Sequence, residues 1–229
     1  YEMTSSLVGS EMCIRDSQGL FRSNYVIFGV SLVTNVFGAE EAAAASILSA
    51  VLVPMYNVLA VIALTVFTGG GKVSLKKTLK SIATNPLIIA ALLGVFASII
   101  KLRFPAFLET SLRDVSRLAT PLALIVLGGD FSFRKLKGNM RIAGVTVFIK
   151  LVVIPLVFLP IAVLAGSRGP SLLALALAWE TPVAVSSYIM AQQAGADGEL
   201  AGQLVVLSAV CCIPTVFLMI FILQSMALL

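Results

Sequence analysis

Two stretches of this chain, residues 42–71 and 200–229, contain no charged residue. Each is longer than the roughly 20 residues an α-helix needs to cross a bilayer. Lipid offers no partner to a backbone N–H or C=O, so a segment that crosses it must satisfy these groups within the protein, as a helix does. The overall composition agrees. Hydrophobic residues make up 59% of the chain and charged residues 12%, whereas a soluble domain is about 45–50% apolar and about 25% charged. An all-α integral membrane protein is expected.

The formal charge of +5 is small. Its basic residues cluster between the apolar segments, which indicates membrane topology and no nucleic-acid partner. The chain has no His, which removes the commonest general base and the commonest zinc ligand. His-Glu-x-x-His, Gly-x-Ser-x-Gly and Cys-x-x-Cys are all missing, so no enzyme is expected. The cysteines are Cys13, Cys211 and Cys212. The adjacent pair lies in an apolar helix and resembles neither a metal site nor a disulfide framework. No metal and no cofactor is expected.

Seven segments can span: about 19–37, 42–67, 82–100, 107–128, 141–165, 171–194 and 201–228. In the fourth, Glu109, Arg113 and Arg117 are spaced four apart and share one helix face. The segments at 68–81 and 129–141 read as loops with four basic residues each: Lys72, Lys76, Lys77 and Lys80, then Arg134, Lys135, Lys137 and Arg141. They are two spans apart, and the positive-inside rule makes their side cytoplasmic. The turn at 38–41, the loop at 166–170 and the C-terminus then face outward. Residues 1–17 include Ser6-Leu-Val-Gly-Ser-Glu-Met-Cys-Ile-Arg-Asp-Ser17, which resembles a translated sequencing-adaptor peptide. They are expected to be an artefact preceding a chain whose N-terminal part is missing.

Four polar features interrupt the spans. The sixth contains Trp179-Glu180-Thr181-Pro182. A carboxylate at the centre of a spanning helix costs at least about 2.5–3.5 kcal/mol on insertion scales. The proline frees a carbonyl that lipid cannot satisfy. The fifth span carries Lys150 near its middle. The first opens with Phe21-Arg22-Ser23-Asn24-Tyr25, followed by Gly29 and Ser31, small residues that permit local unwinding or mediate plain helix packing. The second holds Tyr56-Asn57 just after Pro54. Lys150 and Glu180 read either as a structural ion pair or as counter-charges facing a permeation path. In a role between these, the lysine donates to carbonyls freed by a broken helix. Each interrupted span is followed by a short acidic turn, 38–41 or 195–199, and then by a long uncharged helix containing Pro54 or Pro214. Paired interruptions of this kind mark inverted repeats, with the substrate site between them.

The stretches Gln18–Leu32, Val53-Pro-Met-Tyr-Asn-Val58, Asn85–Gly94, Ala119–Gly128, Lys150-Leu-Val-Val-Ile-Pro155 and Glu180-Thr-Pro-Val-Ala-Val-Ser186 resemble, in that order, the auxin efflux carrier family, bacterial branch. The family has ten helices in two inverted five-helix repeats. The resemblance implies that this chain holds helices four to ten. Residues 18–67 would end the first repeat, 68–81 would be a cytoplasmic loop and 82–229 would form the second repeat. The fourth and ninth helices would unwind and cross at Ser23-Asn24 and Pro182. Plant members carry prolines where this chain has Ser23 and Ser31, which points away from plant auxin.

The implied function is secondary transport, in a bacterial inner membrane, of small organic anions such as malate-like carboxylates or auxin-like acids. An ion gradient, with a proton or sodium ion as the candidate coupling ion, or the membrane potential would drive it, and a homodimer is compatible with the fold. Ser23, Asn24, Tyr25, Lys150, Thr181, Pro182 and Val183 would bind substrate. Gly29, Ser31, Asn57 and Glu180 would support the crossing. Glu180 is expected to be protonated, paired with Lys150 or turned away, since an ionised carboxylate would oppose an anion. The alternatives are a cation–proton antiporter or sodium-coupled symporter of the same fold, or a membrane sensor that does not transport.

Overall fold

The computed structural model describes residues 17–68, 80, 83–84, 86–130, 133–193 and 195–229. The expectations for residues 1–16, for Cys13, for Asn85 and for most of the 68–81 loop lie outside the described residues.

The described chain is helical. Helices α1 (Ser17–Phe21) and α2 (Tyr25–Phe37) are separated by residues 22–24. Then come α3 (Ala43–Thr68), α4 (Pro86–Ile99) and α5 (Ala106–Asp130). Helix α6 (Phe133–Phe148) runs through a π-helical turn (Ile149–Val153) into α7 (Ile154–Leu164). Helices α8 (Gly169–Glu180) and α9 (Val185–Gln193) are separated by residues 181–184, and α10 (Gly198–Ser225) closes the chain. Among the described residues there is no β-strand; the one extended pairing is an isolated antiparallel bridge between Ser23 and Val183.

Among the described residues, three helices are long and apolar enough to cross a membrane: Ala43–Leu64, Met140–Leu164 and Gly198–Ser225. The first and sixth expected spans are each broken into two half-helices that lie end to end. The charged start of α5 carries the expected face, with Arg113 on Glu109 at 2.9 Å. The segment 129–141, read as a loop, is corrected: α6 begins at Phe133 and carries its basic residues on a helix. Lys, Arg and Met are good helix formers, and a helix keeps backbone groups paired as the chain enters lipid.

Helix α8 is the centre of the bundle. It packs against α2, α3, α7 and α10. Leu172, Leu173, Ala176 and Leu177 are all fully buried, as expected of a helix that is apolar on every side. Helices α4 and α5 instead expose Leu92, Phe96, Val115 and Ile125, a surface suited to lipid. The Gly169 N–H donates to Leu228 O at 2.9 Å. The loop before α8 and the C-terminus therefore share one side, as the charge pattern requires.

The π turn follows from Pro155. Proline has no N–H and its ring clashes with the carbonyl four residues back, here Leu151. The helix responds by widening, and the Ile154 N–H reaches Ile149 O. Such single wide turns mark positions where a helix presents a side chain out of regular register. Lys150 sits in this turn.

Candidate functional site

The two chain breaks meet. Each removes helical hydrogen bonds, and the fates of four of the freed groups can be followed. In the first break the Asn24 N–H leaves its helical acceptor, Leu20 O, and donates to Pro182 O at 2.8 Å. Leu20 O is then reached by Lys150 Nζ at 3.4 Å, and the same ammonium donates to Ser23 Oγ at 2.9 Å. In the second break Pro182 has no N–H for Ala178 O, and the Tyr56 hydroxyl donates to that carbonyl at 3.1 Å. The Val183 N–H, with no helical acceptor in the break, donates to Ser208 Oγ at 2.9 Å.

Ser23, Asn24, Thr181, Pro182 and Val183 thus lie together in one crossing. Helices α2 and α9 both start there. First-turn N–H groups have no intrahelical partner, and they carry partial positive charge that favours an anion. The Asn24 side chain makes no capping bond to α2. Thr181 Oγ1 and the Tyr25 hydroxyl are buried without a hydrogen-bond partner. These are groups a polar solute can satisfy.

Lys150 and Glu180 do not form the ion pair considered for them. The ion pairs among the described residues are Arg113–Glu109 and Arg117–Asp114. Lys150, 1% exposed, serves the break in α1–α2. Glu180, 3% exposed, ends α8 with Oε2 unpartnered, and the polar groups near it are Cys212 and Thr215 of α10. Gly29 and Ser31 do not unwind the chain either; both lie inside the regular α2. Gly29 has a steric role, since a Cβ there would lie 2.4 Å from the Tyr25 ring. A glycine one turn on is what lets that ring lie along the helix. Asn57 supports the crossing at one remove, because its Oδ1 accepts from Arg22 Nη2 at 2.8 Å.

A family model described as membrane transport protein matches residues 71–220. The chain belongs to this family, that of the auxin efflux carriers. Comparison with curated proteins and with solved structures returns no match. The carrier is a multi-pass membrane protein, embedded in a lipid bilayer and acting on a small-molecule substrate.

Reading the sequence did not place Ser208, Tyr56 or Arg22 among the candidate residues of the crossing. Tyr56 was visible as a polar residue in an apolar span. Ser208 was not, because a serine in a membrane helix usually bonds its own preceding turn, as this one also does with Val205 O. Arg22 is 4% exposed at the break itself, with Nη1 on Met190 Sδ and Nη2 on Asn57. Ser208→Ala would leave the buried Val183 N–H without an acceptor, which costs about 1–3 kcal/mol. Thermal unfolding of the detergent-solubilised carrier should show the lowered midpoint. An unchanged midpoint would mean that this bond does not hold the second break.

Proposed function

We propose that the carrier is a secondary transporter of small organic anions, malate-like carboxylates or auxin-like acids, and that the crossing of residues 22–24 with 181–184 is its substrate site. The observation that carries this reading is the mutual capture of the two breaks, Asn24 N–H on Pro182 O. It holds two half-helix N-termini and two buried cations, Arg22 and Lys150, in one place. A carboxylate suits such a place. Charge-assisted bonds to it contribute about 1.5–3 kcal/mol each. In this reading Ser23, Asn24, Tyr25, Thr181, Pro182 and Val183 line the site. Lys150 holds its geometry and adds positive potential.

Residues 18–67 then close the first inverted repeat and 82–229 form the second. The likeness of the two halves supports this division. Each runs half-helix, break, half-helix, short turn and long proline-containing helix, through α1–α3 and through α8–α10. The membrane is a bacterial inner membrane. Rocking of one part of the bundle against the other would expose the crossing to each side in turn.

The test is counterflow. Proteoliposomes holding the full-length chain and loaded with unlabelled malate should draw in labelled malate, and an excess of external dicarboxylate should compete. Absence of counterflow with malate, malonate and indole-3-acetate alike would remove the anion reading.

A further inference from the structure

Three side chains of charged type are buried at the crossing: Arg22, Lys150 and Glu180. Among the described residues none of them is paired with another; both ion pairs lie on α5. The two cations are held by neutral acceptors, Arg22 by Asn57 and Met190, and Lys150 by Leu20 O and Ser23 Oγ. The carboxyl group has the Thr215 hydroxyl of α10 beside it, and that hydroxyl is shared with two backbone carbonyls. Glu180 Oε2 has no hydrogen-bond partner. The residue ends α8, and the C-terminal carbonyls of a helix carry partial negative charge that opposes a carboxylate.

Among the described residues no cation is bonded to Glu180. The elements packed on α8 are α2, α3, the π turn, α7 and α10. Their titratable side chains are Tyr25, Tyr56, Lys150, Glu199, Cys211 and Cys212. Lys150 is the one cation of this set, and its bonds go to the other break. Tyr56 donates to Ala178 O. Cys212 Sγ donates to Ala209 O, and the neighbouring Thr215 hydroxyl is directed at the Cys211 and Cys212 carbonyls. Glu199 lies in the first turn of α10 beside Gln203, more than three turns from Cys212. An ionised Glu180 would be a buried anion with no cation bonded to it among the described residues, which is unfavourable.

We infer that Glu180 is a proton-carrying site and that the carrier moves a proton together with each substrate anion. This rests on the anion-transport reading above. The O–H bond forms on the side where substrate enters and breaks on the side where it leaves, so the proton and the anion travel in one direction. The coupling is electrostatic. A substrate carboxylate at the crossing repels a second negative charge at Glu180, so anion binding favours the protonated form. By reciprocity, the proton tightens the anion. With Glu180 neutral, Arg22 and Lys150 give the crossing the net positive charge an anion requires.

The experiment uses the full-length chain in proteoliposomes, labelled malate as probe, and the membrane voltage held at zero with potassium and valinomycin. A gradient of one pH unit, acid outside, should raise initial malate uptake by up to about tenfold, the ratio of proton activities. Glu180→Gln should abolish that stimulation. In detergent, the malate Kd of the wild type should weaken as pH rises from about 6.5 to 8.5, where the substrate itself stays ionised, and the Kd of Glu180→Gln should be flat. Stimulation that survives in Glu180→Gln overturns the inference, as does a sodium gradient replacing the pH gradient in the wild type. Should Glu180→Gln fail to insert, adding malate to the wild type at about pH 8.5 must make the protein take up protons, and more than at about pH 6.5, read with a pH-sensitive dye; no uptake at the higher pH overturns the inference. Wild-type counterflow without any proton effect overturns this inference alone. No counterflow at all overturns the transport reading on which it rests.

Discussion

Lys150→Ala is expected to abolish uptake of labelled malate by the full-length carrier, by about 100-fold or more, equivalent to at least about 2.7 kcal/mol. The ammonium is buried and reaches both Leu20 O, the carbonyl deserted by Asn24, and Ser23 Oγ. Alanine leaves both without a donor in a place water does not fill. Each unsatisfied buried group costs about 1–3 kcal/mol. The end of α1 and the start of α2 would lose their fixed relation, and the Ser23–Val183 bridge with it. The site would also lose half of its buried positive charge. Both uptake and the thermal midpoint in detergent should therefore fall. Lys150→Met, which refills most of the volume without the donor, should be nearly as damaging. Uptake within twofold of wild type in either variant would show that the lysine neither holds nor charges the site.

Asn24→Ala should separate transport from folding. The bond that ties this residue into the crossing is made by its backbone N–H, to Pro182 O. Its side chain does not cap α2 and is partly exposed. Removing the amide should shift stability by no more than about 0.5 kcal/mol, as at an ordinary exposed position. Uptake should nonetheless fall by at least tenfold, because a donor to a charged carboxylate contributes about 1.5–3 kcal/mol. Asn24→Asp, which places a negative charge against the substrate, should be worse than alanine. Counterflow and thermal unfolding on the same preparations decide the matter. A loss of transport matched by a loss of folding would make Asn24 structural; unchanged transport would remove it from the site.

Much of this site was legible because lipid makes polar residues conspicuous. Pro182 stood out as a helix breaker in an apolar segment, and Ser23-Asn24 as polar residues where a span should be regular. Lys150 stood out for its charge. The kind of partner Lys150 takes was legible as one of the readings, a carbonyl freed by a broken helix, and the structure gives it Leu20 O. Which carbonyl it would be was not legible, since that demand exists only because Asn24 gives its N–H to another helix. Ser208 gave no signal, since one serine in α10 reads like any other until Val183 is placed beside it. Gly29 was ambiguous for a related reason. A glycine there permits local unwinding or close packing, and the structure gives packing, room for the Tyr25 ring, which depends on the rotamer of Tyr25 and not on residue type.

The sequence by itself determined that this chain is a bundle of membrane helices and where two of those helices fail. Both follow from the cost of putting a given segment into lipid, which each segment meets on its own. What the tertiary structure alone decided is how the failures are repaired. The donor for Leu20 O is 130 residues away, and that for Ala178 O is 122 residues away. Hydrogen bonding is short-ranged and directional, so no local pattern can name such a partner. The packing of α2, α3, the π turn and α10 around the broken ends of α8 is what brings the donors, acceptors and charges of the site to one point.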